Sequence, residues 1–346
     1  MAIRESKEEN FVKKVFETIK KNNLIENGDR VVLGVSGGPD SICMLNVLDN
    51  IRKSQKFNLN FEIFVAHVNH QIREEAQDDE KYVKDFCNKK DIDFYSKSID
   101  VQKLANNNKI GTEEAGRMAR YNFFDEILNE TKSNKIAIAH NKNDRVETVI
   151  MNALRGCGIS GLKGIEIKRD KYIRPLIKCE REEIENYCEI SKLKPRIDKT
   201  NFETIYTRNK IRNVVIPYVM KEFNPNIIET IDRLSDIVEQ QEEYMQKMVQ
   251  QKYTEILIDE DINKSSEKQN IILDLEKFNN QENVIKSRLL LYTITRLLGD
   301  AKGIGKIHIQ DIIKLCGNNI GNKYLTPNKN IKILVKDKKI YFESQI

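Results

Sequence analysis

Short, predominantly apolar blocks recur along the N-terminal part of the chain, each followed by polar residues and then an amphipathic stretch. Val31–Val35, Phe61–Ala66 and Lys135–Ala139 are such blocks, and Phe94-Tyr95 marks another. Blocks this short and this apolar predict buried strands, and their alternation with helical stretches predicts βαβ units. The expected fold class is therefore α/β: a doubly wound parallel sheet whose strands deliver their C-terminal ends to one edge. Beyond Asn224-Pro225, apolar residues at 227, 231, 234, 238, 245 and 248 trace one face of a long helix. Ile271–Leu275, the amphipathic stretches Val284–Leu298 and His308–Leu315, and the closing blocks Ile331–Val335 and Ile340–Phe342 predict a small mixed α/β unit. The organisation expected is a sheet domain over 1–222, a helical linker over 223–260 and a small C-terminal domain over 261–346.

The chemistry-bearing residues cluster at the ends of the expected strands. Ser36-Gly37-Gly38-Pro39-Asp40-Ser41 joins the first strand to a helix. Gly37 and Gly38 let backbone N–H groups approach an anion, Ser36 and Ser41 add hydroxyls, and the helix presents its positive end, a combination suited to a nucleotide's pyrophosphate. No Gly-Lys-Ser/Thr follows, so this is not a Walker A loop. The six residues resemble the SGGxDS signature of the PP-loop ATP pyrophosphatases. That resemblance implies cleavage of ATP between its α- and β-phosphates, with Mg²⁺ beside Asp40. The second strand runs into His67-Val68-Asn69-His70, the third block into His140-Asn141-Lys142-Asn143-Asp144-Arg145-Val146-Glu147. Asp144 and Glu147 stand three apart on one helix and share a face that suits Mg²⁺ or an ammonium group. The histidines lack the thiolates or the HExxH spacing of a zinc site.

Arg117 and Arg120 share a helix face; they suit phosphate or a carboxylate, and spacing alone favours a surface pair of Arg117 with Glu113. Arg208, Lys210 and Arg212 form a basic cluster. Gly156-Cys157-Gly158-Ile159-Ser160-Gly161 spells the dinucleotide fingerprint but ends a helix instead of following a strand, so a C-cap and loop are expected there.

At 346 residues with 39% hydrophobic content, the chain has enough apolar material for two cores. No apolar run approaches the ~18 residues of a membrane span, and the polar N-terminus lacks a signal-peptide core, so a cytoplasmic protein is expected. The six cysteines, at 43, 87, 157, 179, 188 and 316, include no Cys-x-x-Cys pair, which argues for structural thiols and against sulfur transfer. The net charge of +5 is uneven: residues 300–346 hold nine lysines against four acids, and the rest of the chain balances. A basic C-terminal segment suits a phosphate backbone.

Taken together, the motifs resemble the tRNA(Ile)-lysidine synthetase family. His67–Arg73 is similar to its HVNHxLR, Glu113–Tyr121 to its EEAxRxxRY, Arg155–Leu162 to its RGxGxxGL, Ile173–Leu176 to its IRPLL and Tyr206–Arg212 to its YxRNxIR. The resemblance is strongest over 28–220. It implies an adenine-nucleotide α-hydrolase-like fold and a ligase that uses ATP to adenylate C2 of the wobble cytidine in the CAU anticodon of tRNA(Ile). Free L-lysine then displaces AMP to give lysidine, which changes the tRNA's identity from Met to Ile. The resemblance implies ATP bound by Ser36, Gly37, Gly38, Pro39, Asp40, Ser41 and His67. It also implies catalytic roles for Asp40, Asp144, Glu147, Arg117 and Arg208, and tRNA recognition by 261–346. Asp40, Asp144 and Glu147 remain alternatives for the base that takes lysine's proton, and monomer and homodimer both fit. Where the family has paired histidines and a second acid, this chain has His140-Asn141 and Asp144-Arg145, and it is expected to stop before the further C-terminal module of longer members. A tRNA thiolase, an amide-forming PP-loop synthetase and a non-catalytic tRNA-binding relative are the rival readings.

Overall fold

The computed structural model describes residues 2–71, 76–196, 207–262, 269–318 and 323–345, with side chains from Lys7 onward. It divides into two compact units, 1–239 and 240–346. The first unit contains, in order, α1 (Ala2–Lys21), β1 (Arg30–Gly34), α2 (Pro39–Lys53), β2 (Glu62–Asn69), α3 (Ala76–Lys90), β3 (Asp93–Ser98), α4 (Val101–Asn108), α5 (Thr112–Glu130), β4 (Lys135–Ile138) and α6 (Lys142–Leu154). The short strands β5 (Lys168–Arg169) and β6 (Tyr172–Ile173) follow, then α7 (Arg181–Ile190) and α8 (Thr207–Lys210). A π-helical turn over Ile211–Val215 carries α8 into α9 (Ile216–Glu222), and α10 (Ile227–Ile256) contains the division between the units.

The first sheet has the order β3-β2-β1-β4-β6-β5. β1 pairs in parallel with β2 and β4, β2 with β3, and β4 with β6; only the β5–β6 hairpin at the edge is antiparallel. The chain winds outward from β1 to β3, then returns to the other side of β1 with β4. The order therefore reverses between β1 and β4, and a doubly wound sheet opens its ligand crevice at the C-terminal ends of such a pair. Strand residues alternate between two buried faces: Val31, Leu33 and Val35 join the core made with α1, α2 and α7, whereas Val32 joins Phe123, Phe124 and Ile127 of α5. Gly34 is required by the second face, because a Cβ there would sit 2.5 Å from the Phe124 ring. The parallel sheet and the strand blocks match the sequence expectation. The β5–β6 hairpin was not expected, since two-residue strands leave no periodic signal.

The second unit is one antiparallel sheet, ordered β7-β8-β11-β10-β9, with its helices on one face. Its strands are β7 (Leu257–Asp261), β8 (Asn270–Asp274), β9 (Lys323–Asn328), β10 (Ile331–Lys336) and β11 (Lys339–Ser344). Its helices are α11 (Leu275–Asn279), α12 (Asn283–Leu298) and α13 (Lys306–Gly317). β7 and β9 escape a pattern-based reading because one is rich in acids and the other contains Pro327. Among the described residues no helix is long and apolar enough to cross a membrane.

Candidate functional site

The expected phosphate loop lies at the β1 end of the crevice. Gly37 has φ +93°, a conformation that favours glycine. The Ser41 hydroxyl accepts from the N–H groups of Ser36 (3.1 Å) and Gly37 (3.2 Å) and donates to the Gly38 carbonyl (3.0 Å), which draws the loop into a closed bend. The Gly37 carbonyl accepts from Arg196 N–H at 2.9 Å. Helix α2 starts directly after the bend with Pro39 in its first turn, and no side chain caps it, so its N-terminus is open to an anion. His67 lies behind the loop, buried, and its Nδ1–H donates to the Val35 carbonyl at 2.8 Å. Burial lowers its pKa, and the neutral ring braces the strand where it enters the bend.

On the β4 side, Asn141 caps α6. Its side chain accepts from Asp144 N–H at 2.9 Å while the Asp144 carboxylate accepts from Asn141 N–H at 3.2 Å, a reciprocal capping box. The Asn141 amide also donates to Asp40 Oδ1 at 2.8 Å. One fully buried residue thus ties the phosphate loop to the acidic helix across the switch point. Burial, and then the charge of Asp144, push the Asp40 carboxyl up to about 6. Two carboxylates held this way favour a cation between them, so the residues present fit the Mg²⁺ that the fold family implies.

Asp144 and Glu147 face a group of arginines. Glu147, which is buried, accepts from Arg208 Nε (2.9 Å) and from Arg212 Nε (2.6 Å) and Nη2 (2.8 Å). Asp144 Oδ1 accepts from Nη2 of Arg208 (3.2 Å) and of Arg212 (3.1 Å), and Arg181 lies 3.6 Å from Glu147. Arg212 is carried by the π-helical turn, a kind of turn frequent at functional sites, whereas Arg208 comes from α8 and Arg181 from α7. The next residue along α6, Arg145, points the other way. It is fully buried and donates to Asp232 (2.9 Å), Asp236 (2.5 Å) and Glu239 (2.7 Å) of α10.

A second basic group surrounds His140. Arg174, buried and forming no ion pair among the described residues, donates from Nε to His140 Nδ1 (3.3 Å) and from Nη1 to the Glu166 carbonyl (2.6 Å). Burial first, then the charges of Arg174, Arg208, Arg117 and Arg120, hold the His140 pKa down at about 3. The ring is neutral, and with Nδ1 accepting, its proton resides on Nε2. Arg117 stacks over Tyr121, 5.0 Å from the ring centroid, in place of the expected pair with Glu113.

Of the residues expected at the site, Ser36 to Ser41, Asp144, Glu147 and Arg208 come together at the ends of β1 and β4. His67 supports the loop from behind, and Arg117 lies on α5, stacked over Tyr121 and outside this cluster of bonds. The Asp198–Asn201 segment, Tyr206, Ile72 and Arg73 lie outside the described residues. The sequence reading left Asn141 and Arg145 without roles and passed over Arg181. The Asn141-x-x-Asp144 spacing is a legible capping signal, whereas nothing local marks Arg181. Gly156 (φ +75°) and the turn over Ile159–Lys163 follow the end of α6 as a loop, as expected. Five of the six cysteines are buried.

A family profile described as a PP-loop domain matches residues 7–219. The chain is 45% identical over 334 residues to the tRNA(Ile)-lysidine synthase of Clostridioides difficile (strain 630), covering 96% of this chain and 70% of that protein. It is 46% identical over 320 residues to the tRNA(Ile)-lysidine synthase of Clostridium acetobutylicum, covering 92% and 67% respectively. Among solved structures it resembles the U34-tRNA thiolase NcsA from Methanococcus maripaludis, with a TM-score of 0.55 and 22% identity over 67% of this chain and 80% of that one. At that identity the likeness concerns the fold alone.

Proposed function

Because the chain belongs to the tRNA(Ile)-lysidine synthase family of PP-loop proteins, we propose that it ligates free L-lysine to C2 of the wobble cytidine of tRNA(Ile), consuming ATP and releasing AMP and pyrophosphate. The observation that carries this reading is the hydrogen-bonded unit running from the open N-terminus of α2 through Asp40 and Asn141 to Asp144 and, by way of the Arg212 guanidinium, to Glu147. It sets a pyrophosphate cradle beside a carboxylate pair in one crevice, and a two-step reaction needs both.

In the first step the cytidine C2 oxygen attacks the α-phosphorus of ATP and pyrophosphate leaves. The loop N–H groups, the Ser36 and Ser41 hydroxyls and the α2 N-terminus stabilise the charge that grows on the leaving group without having to move. Asp40, with Asp144 behind it, would hold Mg²⁺, which supplies further charge neutralisation on the phosphates. The arginines around neutral His140 suit the remaining phosphate charge.

In the second step the ε-amine of lysine, once deprotonated, attacks C2 and expels AMP. Asp144 and Glu147 supply the negative charge that attracts the ammonium. Both already carry guanidiniums, so the incoming ammonium must replace one of them. Arg208 is the one positioned to yield, with 34% of its side chain exposed against 18% for Arg212. Released from Glu147, its fork suits the lysine carboxylate. In this reading 1–222 carries the chemistry, 223–260 links, 261–346 recognises tRNA, and the protein works in the cytoplasm beside its substrate.

ATP–pyrophosphate exchange tests the first step. Exchange that depends on tRNA bearing a CAU anticodon is expected; tRNA binding without exchange under any combination of ATP, Mg²⁺ and lysine would leave a non-catalytic RNA-binding protein.

A further inference from the structure

Three helices start at the crevice: α2 directly after the phosphate loop, α6 with Asp144 and Glu147 in its first turns, and α7 with Arg181 as its first residue. Their starts are tied to one another. Lys142 N–H donates to the Cys179 carbonyl at 2.8 Å, Arg181 N–H donates to the Asn143 side chain at 3.0 Å, and the Cys188 thiol on α7 donates to the Pro39 carbonyl at 3.7 Å. Just before Arg181, Glu180 N–H donates to the Glu183 carboxylate at 2.7 Å, which closes the start of α7. The backbone of Arg181 is thus held by its own helix and by α6.

Its guanidinium, by contrast, is the uncommitted one of the three beside the acids. Without it, Glu147 already accepts three hydrogen bonds, from Arg208 and Arg212, and Asp144 accepts three, from Arg208, Arg212 and Asn141 N–H. Arg181 Nη2 lies 3.6 Å from Glu147 and 4.0 Å from Asp144, beyond hydrogen-bond length, with 27% of its side chain exposed. Its charge also reaches Asp40, where it opposes the upward push of burial on that carboxyl. A residue serving only as counter-ion would close on the acids as Arg208 and Arg212 do. The loop over Ser36–Ser41 offers N–H and hydroxyl groups but no cationic side chain, so a cation for incoming phosphates, beyond Mg²⁺, has to come from a neighbouring element. A guanidinium with donors to spare matches the paired oxygens of a phosphate.

We propose that Arg181 is a further catalytic residue, whose guanidinium holds phosphate oxygens of ATP in the crevice and stabilises them through the adenylation step. The proposal rests on the reading of this crevice as an ATP site and adds a residue to its first step. The cytidine C2 oxygen forms its bond to the α-phosphorus as the bond to the bridging oxygen breaks, and the electron pair leaves with pyrophosphate. Arg181 donates hydrogen bonds to the charge that develops and keeps its own protons throughout.

The test uses the full chain and the variants Arg181→Gln and Arg181→Lys, with thermal melts as the fold control. With tRNA bearing a CAU anticodon, Arg181→Gln is expected to lower kcat for ATP–pyrophosphate exchange by about 100-fold or more. Arg181→Lys keeps the charge but loses the fork and is expected to lower it by about tenfold. KM for lysine should stay within about twofold of wild type in both. Exchange within about twofold of wild type in Arg181→Gln would overturn the proposal, as would a rise of about tenfold in KM for lysine with exchange preserved, which would assign Arg181 to the acids. If Arg181→Gln fails to fold, Arg181→Lys decides: exchange at the wild-type rate overturns the proposal. Equilibrium dialysis of ATP with Mg²⁺ separates this contact from the reaction as a whole. If wild type gives neither exchange nor lysidine while Arg181→Gln still weakens ATP binding by about fivefold or more, the phosphate contact stands and the proposed reaction falls; unchanged ATP binding there would sink both.

Discussion

Asp40 concentrates the conflict between stability and chemistry at this site. Its carboxyl titrates at about 6 against an ordinary 3.8 because it is buried and faces Asp144. The folded state therefore holds a proton that the unfolded chain has already released, so the group's effect on stability worsens as pH rises from about 4 to 6 and is complete above that. Asp40→Asn should raise stability at pH 8 by on the order of 2 kcal/mol and abolish lysidine formation. Melting with and without the substitution, in the presence of EDTA, should show a gap that widens from pH 4 to pH 7; a gap that does not change with pH would contradict the assignment. Glu147 makes the complementary case. Glu147→Gln keeps the shape but weakens its hold on Arg208 and Arg212, so tRNA-dependent pyrophosphate exchange should survive within about tenfold while lysine transfer falls by about 100-fold or more. Equal losses in both steps would assign Glu147 to the first step or to folding. The loop and both acids were legible in the sequence because each sits in a local motif. The tie from Asn141 to Asp40 was not, because it joins positions 101 residues apart.

At the scale of elements, the pairing of α6 with α10 is what the sequence hides most. Glu229, Asp232, Asp236 and Glu239 share one face of α10 and read, by spacing, as a solvated acidic stripe. In the fold they meet Lys142, Arg145 and Lys178, so the stripe is an electrostatic seam against the helix that carries Asp144 and Glu147. Arg145→Met would leave three carboxylates facing one another and should cost about 3–5 kcal/mol, read as an earlier urea transition; a cost below about 1 kcal/mol would mean that Lys178 alone holds the seam. The buried strands were legible because continuous apolar runs need no knowledge of their neighbours, whereas their order across the sheet depends on which strands pair and was not read from the sequence. The edge hairpin and β7 were not legible, since what makes them strands is a partner and not a pattern.

For the whole molecule, two compact units of different construction follow one another in the chain, one with a largely parallel sheet and one with an antiparallel sheet. In the proposed reading the first serves ATP and the nucleophile. The change in hydrophobic pattern beyond the long helix was visible in the sequence, whereas the pairing of β8 with β11 was not, because it joins strands far apart in the chain. The most direct test of the central claim is to incubate the full chain with ATP, Mg²⁺, radiolabelled lysine and tRNA bearing a CAU anticodon, then digest the RNA to nucleosides. The account predicts one labelled nucleoside, lysidine, formed with AMP in equal amount and absent when Asp40 is replaced by Asn. Label that stays out of the RNA while ATP is bound and tRNA is retained would contradict it.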